Sequence, residues 1–192
     1  GERGPRAPGA ERQPRAAEAD RLGQGSAGRG AGLLLPEPGP SFRDIAARHG
    51  LRNARRIFGS WRRASLDAAA LIRRLRIQCG LEACDHIVVA SRDDAKGLRR
   101  ELDARSAAGL DSTWQSPASV RKSAALEAAG GIRLGAAFTL DPYRACLGLA
   151  SAAKSRGGTF FEKSRVTKVR AGAKKVEVTL EGGLVSARTI IV

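Results

Sequence analysis

The change of periodicity across residues 141–192 constrains this 192-residue chain more than any other feature. Asp141 is a good N-cap, and Pro142 fits the first helical position, where a missing N–H costs nothing. The run "YRACLGLASAAKSRGG" then predicts a helix that stops at Gly157–Gly158, since glycine adopts the left-handed end conformation without strain. Beyond that stop the apolar residues recur with a period of two. "TFFEK", "RVTKVR", "KVEVTLEGG" and "LVSARTIIV" predict four strands, with turns at Gly172 and Gly182–Gly183. A helix that feeds a strand and then a meander predicts an α/β arrangement.

Upstream, residues 1–17 are rich in proline and arginine, lack large apolar side chains and are expected to form a disordered or non-native leader. Residues 23–32 are dense in glycine, and Pro36, Pro38 and Pro40 forbid a helix directly after them. From Phe42 to about Arg76 the pattern becomes helical. Phe58, Trp61, Ser65, Ala68, Leu71, Ile72 and Leu75 share one arc, and Arg55, Arg56, Arg62, Arg63, Arg73 and Arg74 lie opposite. "DHIVVASRDD", residues 85–94, predicts a buried strand that ends in a turn at Asp93–Asp94. A helix over residues 95–107 and a loop containing Pro117 follow.

The formal charge of +15 raises nucleic acid as a partner. Arginine, however, outnumbers lysine 27 to 7 and alanine and glycine are abundant, a pattern that GC-rich codons produce whatever the function. With no aromatic residue interleaved among the arginines for base stacking, a solvated helix face is preferred and no nucleic-acid partner is expected. Cys79, Cys84 and Cys146 form neither a CxxC pair nor an even set, so no disulfide framework and no metal site are expected, and a reducing cytoplasm fits. The apolar runs are too short to span a membrane. The sequence starts at Gly1 and contains no methionine, and it stops within an apolar run at Val192. A chain cut at both ends is expected.

"GQGSAG", residues 23–28, matches the GxGxxG fingerprint of dinucleotide-binding folds. That fingerprint needs a strand before it and a helix after it, and the surrounding residues predict neither, so the match is read as accidental. The longer string "EADRLGQGSAGRGAGLLLPEPG" resembles a segment of the glycine/D-amino-acid oxidase-like FAD-dependent oxidoreductases. "TLDPYRACLGLASAAKSRGGTFFEKSRVTKV" with "VEVTLEGGLVSARTIIV" is similar to the stretch by which the same family returns to its FAD domain. The resemblance implies FAD as cofactor. It gives Glu18 the adenosine ribose, puts Ser26, Ala27 and Arg29 in a loop along the pyrophosphate, and places Ala31, Gly32 and Leu33 near the flavin. It also implies that the backbone of Val166 pairs with the adenine.

The implied fold is α/β: a partial FAD-binding Rossmann-like domain of the glutathione-reductase type with a mainly helical, α+β substrate-domain insertion. Residues 18–40 and 139–192 would be FAD-domain pieces and residues 41–138 the first part of the insertion. The implied activity is oxidation of a small-molecule amine or amino acid by hydride transfer to flavin. The alternatives are a basic nucleic-acid-binding protein that uses the arginine face, or an inactive truncated gene product. No catalytic residue is singled out. His49 and His86 read as structural because no nucleophile or carboxylate accompanies either at a meaningful spacing, and Tyr143 reads as core.

Overall fold

The structure, a computed structural model, describes residues 14–91, 94–173 and 175–191. The expectations for residues 1–13, Asp93 and Val192 lie outside these. The chain divides into two compact units, Gly1–Gly30 with Pro142–Val192 and Ala31–Asp141.

In the first unit, β1 (Arg15–Ala17) pairs in parallel with β6 (Thr159–Phe161). Residues 15–17, expected within a leader, are thus a strand. They were illegible because "RAA" carries no β-branched or aromatic residue, and the pairing is set by backbone alone. Thr159 N–H donates to Pro14 O, Glu18 N–H to Phe161 O, Ser164 N–H to Glu18 O and Lys163 N–H to Asp20 O. Helix α5 (Pro142–Lys154) starts at the expected proline. It ends where Gly157 takes φ 85° and Gly158 N–H reaches back to Ala153 O. The meander follows as β7 (Val166–Ala171), β8 (Val176–Leu180) and β9 (Gly183–Ala187), all antiparallel. The strand expected over "LVSARTIIV" stops at Ala187, before the "IIV" run.

The second unit is built on β5 (Gly130–Thr139). One of its edges pairs with β3 (Glu82–Ala90); the other takes β2 (Leu33–Leu34) and β4 (Thr113–Gln115), all antiparallel. The sequence reading missed β5 because Gly130, Gly131 and Gly135 look like breakers. Neighbouring side chains explain the first two: a Cβ on Gly130 would meet the Trp114 ring, and one on Gly131 would lie 2.9 Å from Ile87 Cγ2. Strand β3 starts earlier than expected, at Glu82, and carries an irregularity between Cys84 and His86.

The helix expected over residues 42–76 is two helices, α1 (Phe42–His49) and α2 (Leu51–Arg74), parted at Gly50, whose φ of 79° closes the first. Phe42, Ile45, Ala54 and Phe58 form one buried cluster, with Phe42 and Phe58 edge to face at 5.3 Å. Ser65, also buried, donates to Ala136 O. Helix α3 (Ala95–Ala107) spans its expected residues and packs Leu98 with Ala90, Ile132 and Leu134 in a second cluster. Pro117 opens α4 (Pro117–Ala124), where a loop was expected; Ser116 accepts a cap bond from Ser119 N–H.

Candidate functional site

Glu18 immediately follows the last residue of β1, the place outside the carboxyl ends of parallel strands where open α/β sheets hold ligands. It is half-buried, and one carboxylate oxygen accepts from Asp20 N–H at 3.2 Å. Leu22 N–H donates to the Glu162 carboxylate at 2.8 Å, which ties the start of the glycine loop to the end of β6. The loop closes on itself. Gly23 takes φ +80° against the Tyr143 ring, and a Cβ on Gly28 would stand 2.5 Å from Gly23 O, whereas one on Gly25 would meet nothing. A single 3-10 turn, Ala27–Arg29, follows, with no α-helix behind it, so "GQGSAG" is not part of a strand–turn–helix. Ser26 precedes this turn without capping it, and Ser26 and Arg29 are exposed with Ala27 half-buried. Tyr143, expected in the core, is 41% exposed because it covers the loop on one side only.

Val166 opens β7, opposite Leu180, at a register irregularity that runs to Lys168. It is exposed. Glu18, Ser26, Ala27, Arg29 and Val166 therefore share the first unit, while Ala31, Gly32 and Leu33 belong to the second. There Gly32 is buried with φ +68° and its carbonyl accepts from Leu140 N–H; Ala31 and Leu33 are exposed.

Sequence reasoning missed a buried ion cluster in the second unit. Arg105, 3% exposed, donates through Nε to Glu101 at 2.7 Å and through a terminal nitrogen to Glu37. Glu101 also accepts from Phe42 N–H at 2.7 Å and Arg43 N–H at 3.1 Å, so its negative charge sits at the positive end of α1. His86 Nε2 lies 3.1 Å from Glu37. A carboxylate thus does accompany His86, but it comes from 49 residues away, beyond any spacing argument. Burial works against the charged form of Glu37, but the His86 hydrogen bond and the charge and hydrogen bond of Arg105 outweigh it and hold the carboxyl below its ordinary range. The only signal in sequence was Glu101 and Arg105 four apart on one helix, which also describes a common surface pair.

The small-residue loop fits a dinucleotide. Its backbone closes where a Cβ would intrude, and a half-buried carboxylate stands at the end of a parallel strand. The sequence matches the DAO family, FAD dependent oxidoreductases, over residues 16–192. The chain belongs to that family. No curated protein matches it. Among solved structures, it resembles glycine oxidase from Geobacillus kaustophilus with a TM-score of 0.71 at 20% identity, covering 91% of this chain and 46% of that one. L-amino acid deaminase from Proteus vulgaris gives 0.65 at 14%, covering 92% and 40%. L-alpha-glycerophosphate oxidase from Mycoplasma pneumoniae, solved with FAD bound, gives 0.60 at 15%, covering 87% and 43%. This DAO-family chain thus spans less than half the length of these structures. At these identities the likeness establishes the fold, which is that of part of an FAD-binding oxidase. Among the described residues no helix is long and apolar enough to cross a membrane, and no cluster of side chains could hold a metal ion.

Proposed function

We propose that this chain is part of a flavoprotein that oxidises a small-molecule amine or amino acid. The observation that carries the reading is the family match over residues 16–192. Bound FAD would supply the two-electron acceptor for the hydride of the C–H beside nitrogen, the nitrogen would lose a proton, and water would hydrolyse the released imine. Glu18 would accept from the adenosine ribose and residues 23–30 would hold the pyrophosphate, with Ser26, Ala27 and Arg29 at their turn. The Val166 backbone would hold the adenine, and the roles toward the flavin would fall to Ala31, Gly32 and Leu33. The Glu37–Arg105–Glu101 cluster holds the segment after Leu33 against α1 and α3. In this reading residues 18–40 and 139–192 are FAD-domain pieces and residues 41–138 the start of a substrate domain. The amine or amino-acid substrate is supported by the glycine oxidase and amino acid deaminase likenesses, and coverage of under half of each supports a partial chain.

The test is purification of the full-length protein. A yellow protein with the visible flavin absorbance band, bleached anaerobically by an amino acid or amine, is the expected result. A protein without flavin refutes the reading, and a flavoprotein bleached only by a hydroxy substrate refutes the substrate class.

A further inference from the structure

Two side chains of the first unit hold the glycine loop. Where the chain leaves β6 it grips residues 18–22: Glu18 N–H donates to Phe161 O, Ser164 N–H to Glu18 O, Lys163 N–H to Asp20 O, and Leu22 N–H to the Glu162 carboxylate at 2.8 Å. The first three run between backbones and leave little for sequence to change. The fourth depends on a side chain, and it acts at the residue from which the loop departs. The second hold is the Tyr143 ring on α5. A Cβ on Gly23 would stand 3.0 Å from its Cδ2 and Cε2, and one on Gly28 would stand 3.6 Å from the same Cδ2, so one edge of the ring meets both glycines. Neither side chain fills a core. Glu162 is exposed and Tyr143 is 41% exposed, whereas the buried apolar side chains among the described residues of this unit are Ala145 and Val178.

We propose that Glu162 and Tyr143 are positioning residues for FAD, acting through the loop by fixing the backbone path of residues 22–30 before the cofactor arrives. The proposal rests on the reading of residues 23–30 as the pyrophosphate loop. A segment with Gly23, Gly25, Gly28 and Gly30 has many conformations when it is free, and a ligand that must order it binds more weakly by that cost. Holding the loop at Leu22 and across Gly23 and Gly28 removes much of that cost in advance.

The experiment uses the full-length protein with its flavin removed, and takes two measurements. FAD affinity is read by titration against flavin fluorescence, and loop opening by the rate of trypsin cleavage after Arg21 and Arg29, mapped by mass spectrometry. Glu162→Ala and Tyr143→Ala should each weaken FAD about 10-fold and speed cleavage at these two sites by a similar factor. Glu162→Gln keeps an acceptor for Leu22 N–H and Tyr143→Phe keeps the ring, so both should stay near the parent. Glu177→Ala, which removes an acid from β8 in the same unit, should change neither readout. Glu162→Ala and Tyr143→Ala that bind FAD and resist trypsin like the parent overturn the proposal and leave the flavoprotein reading standing. So does Glu162→Gln as weak as Glu162→Ala, which would place the effect in the carboxylate's charge, or an equal loss from Glu177→Ala. A parent protein that takes up no FAD overturns the flavoprotein reading, and the proposal with it.

Discussion

Replacing Arg105 by Met removes the one cation shared by two buried carboxylates. The side chain is 3% exposed and its partners are 8% and 9% exposed, so water cannot replace the lost contacts without opening the unit. Breaking a buried ion pair costs roughly 3–5 kcal/mol because an uncompensated charge remains. Glu101 keeps two backbone N–H donors and the start of α1, and Glu37 keeps His86, so the loss belongs near the lower bound, about 3 kcal/mol. With a urea m-value near 2 kcal/mol/M, the midpoint should fall by about 1.5 M. The unfolding of Arg105→Met and of the triple variant Glu37→Gln/Glu101→Gln/Arg105→Met should be compared by circular dichroism. The triple variant carries no buried charge at these positions and should recover part of the loss. Arg105→Met with an unchanged midpoint, or a triple variant no better than the single one, would falsify the account of the cluster as a coupled buried unit.

Glu37 titrates below its ordinary value near 4.5, so the stability it contributes is complete above that value and lost as pH falls through its lower folded value. Glu37→Gln should flatten the acid limb of a stability-versus-pH curve, and an unchanged limb would count against the assignment. Gly28→Ala should disrupt the loop, because its methyl would lie 2.5 Å from Gly23 O, while Gly25→Ala meets nothing. Flavin content of the full-length protein should fall in the first and hold in the second. Glu18→Ala should weaken FAD by about one hydrogen bond, on the order of 1 kcal/mol or 5-fold, read by flavin release on dilution. The 192-residue chain expressed alone should elute colourless from gel filtration. Among the described residues its parallel sheet has two strands, with β1 exposed, which is too small a platform to hold the loop, and the ribose and adenine contacts near 1 kcal/mol each stand far from the roughly 8 kcal/mol of micromolar binding. Stoichiometric FAD in that eluate would contradict this.

Elements with locally complete signals were legible in the sequence. Helix α5 has Pro142 at one end and Gly157 at the other, and the meander alternates cleanly. Elements defined by partners far along the chain were not. β1 is a strand only because Phe161 and Pro14 supply backbone partners for its pairing with β6, and β5 tolerates its glycines because Trp114 and Ile87 fill the space. Every position that carried the helical pattern, from Arg55 to Leu75, follows Gly50, so the pattern bore no mark of the break. Within the candidate site, the family likeness pointed to Glu18 and the loop, while the Glu37–Arg105–Glu101 cluster was invisible. Hydrogen-bond partners 59 and 68 residues apart leave no periodic trace.

The bond from Leu140 N–H to Gly32 O brings together the two ends of the second unit. This has a consequence for the order of folding. Pairing Arg15 with Thr159 must close a loop of about 144 residues if nothing else has formed, but only about 32 flexible residues once residues 31–141 have folded and joined their own ends, which lowers the closure cost by about 1.3 kcal/mol. The inserted unit then acts as a template: it folds first through its antiparallel neighbours and presents both flanks at one point, and the parallel pairing of β1 with β6 follows as a late, nearly local event.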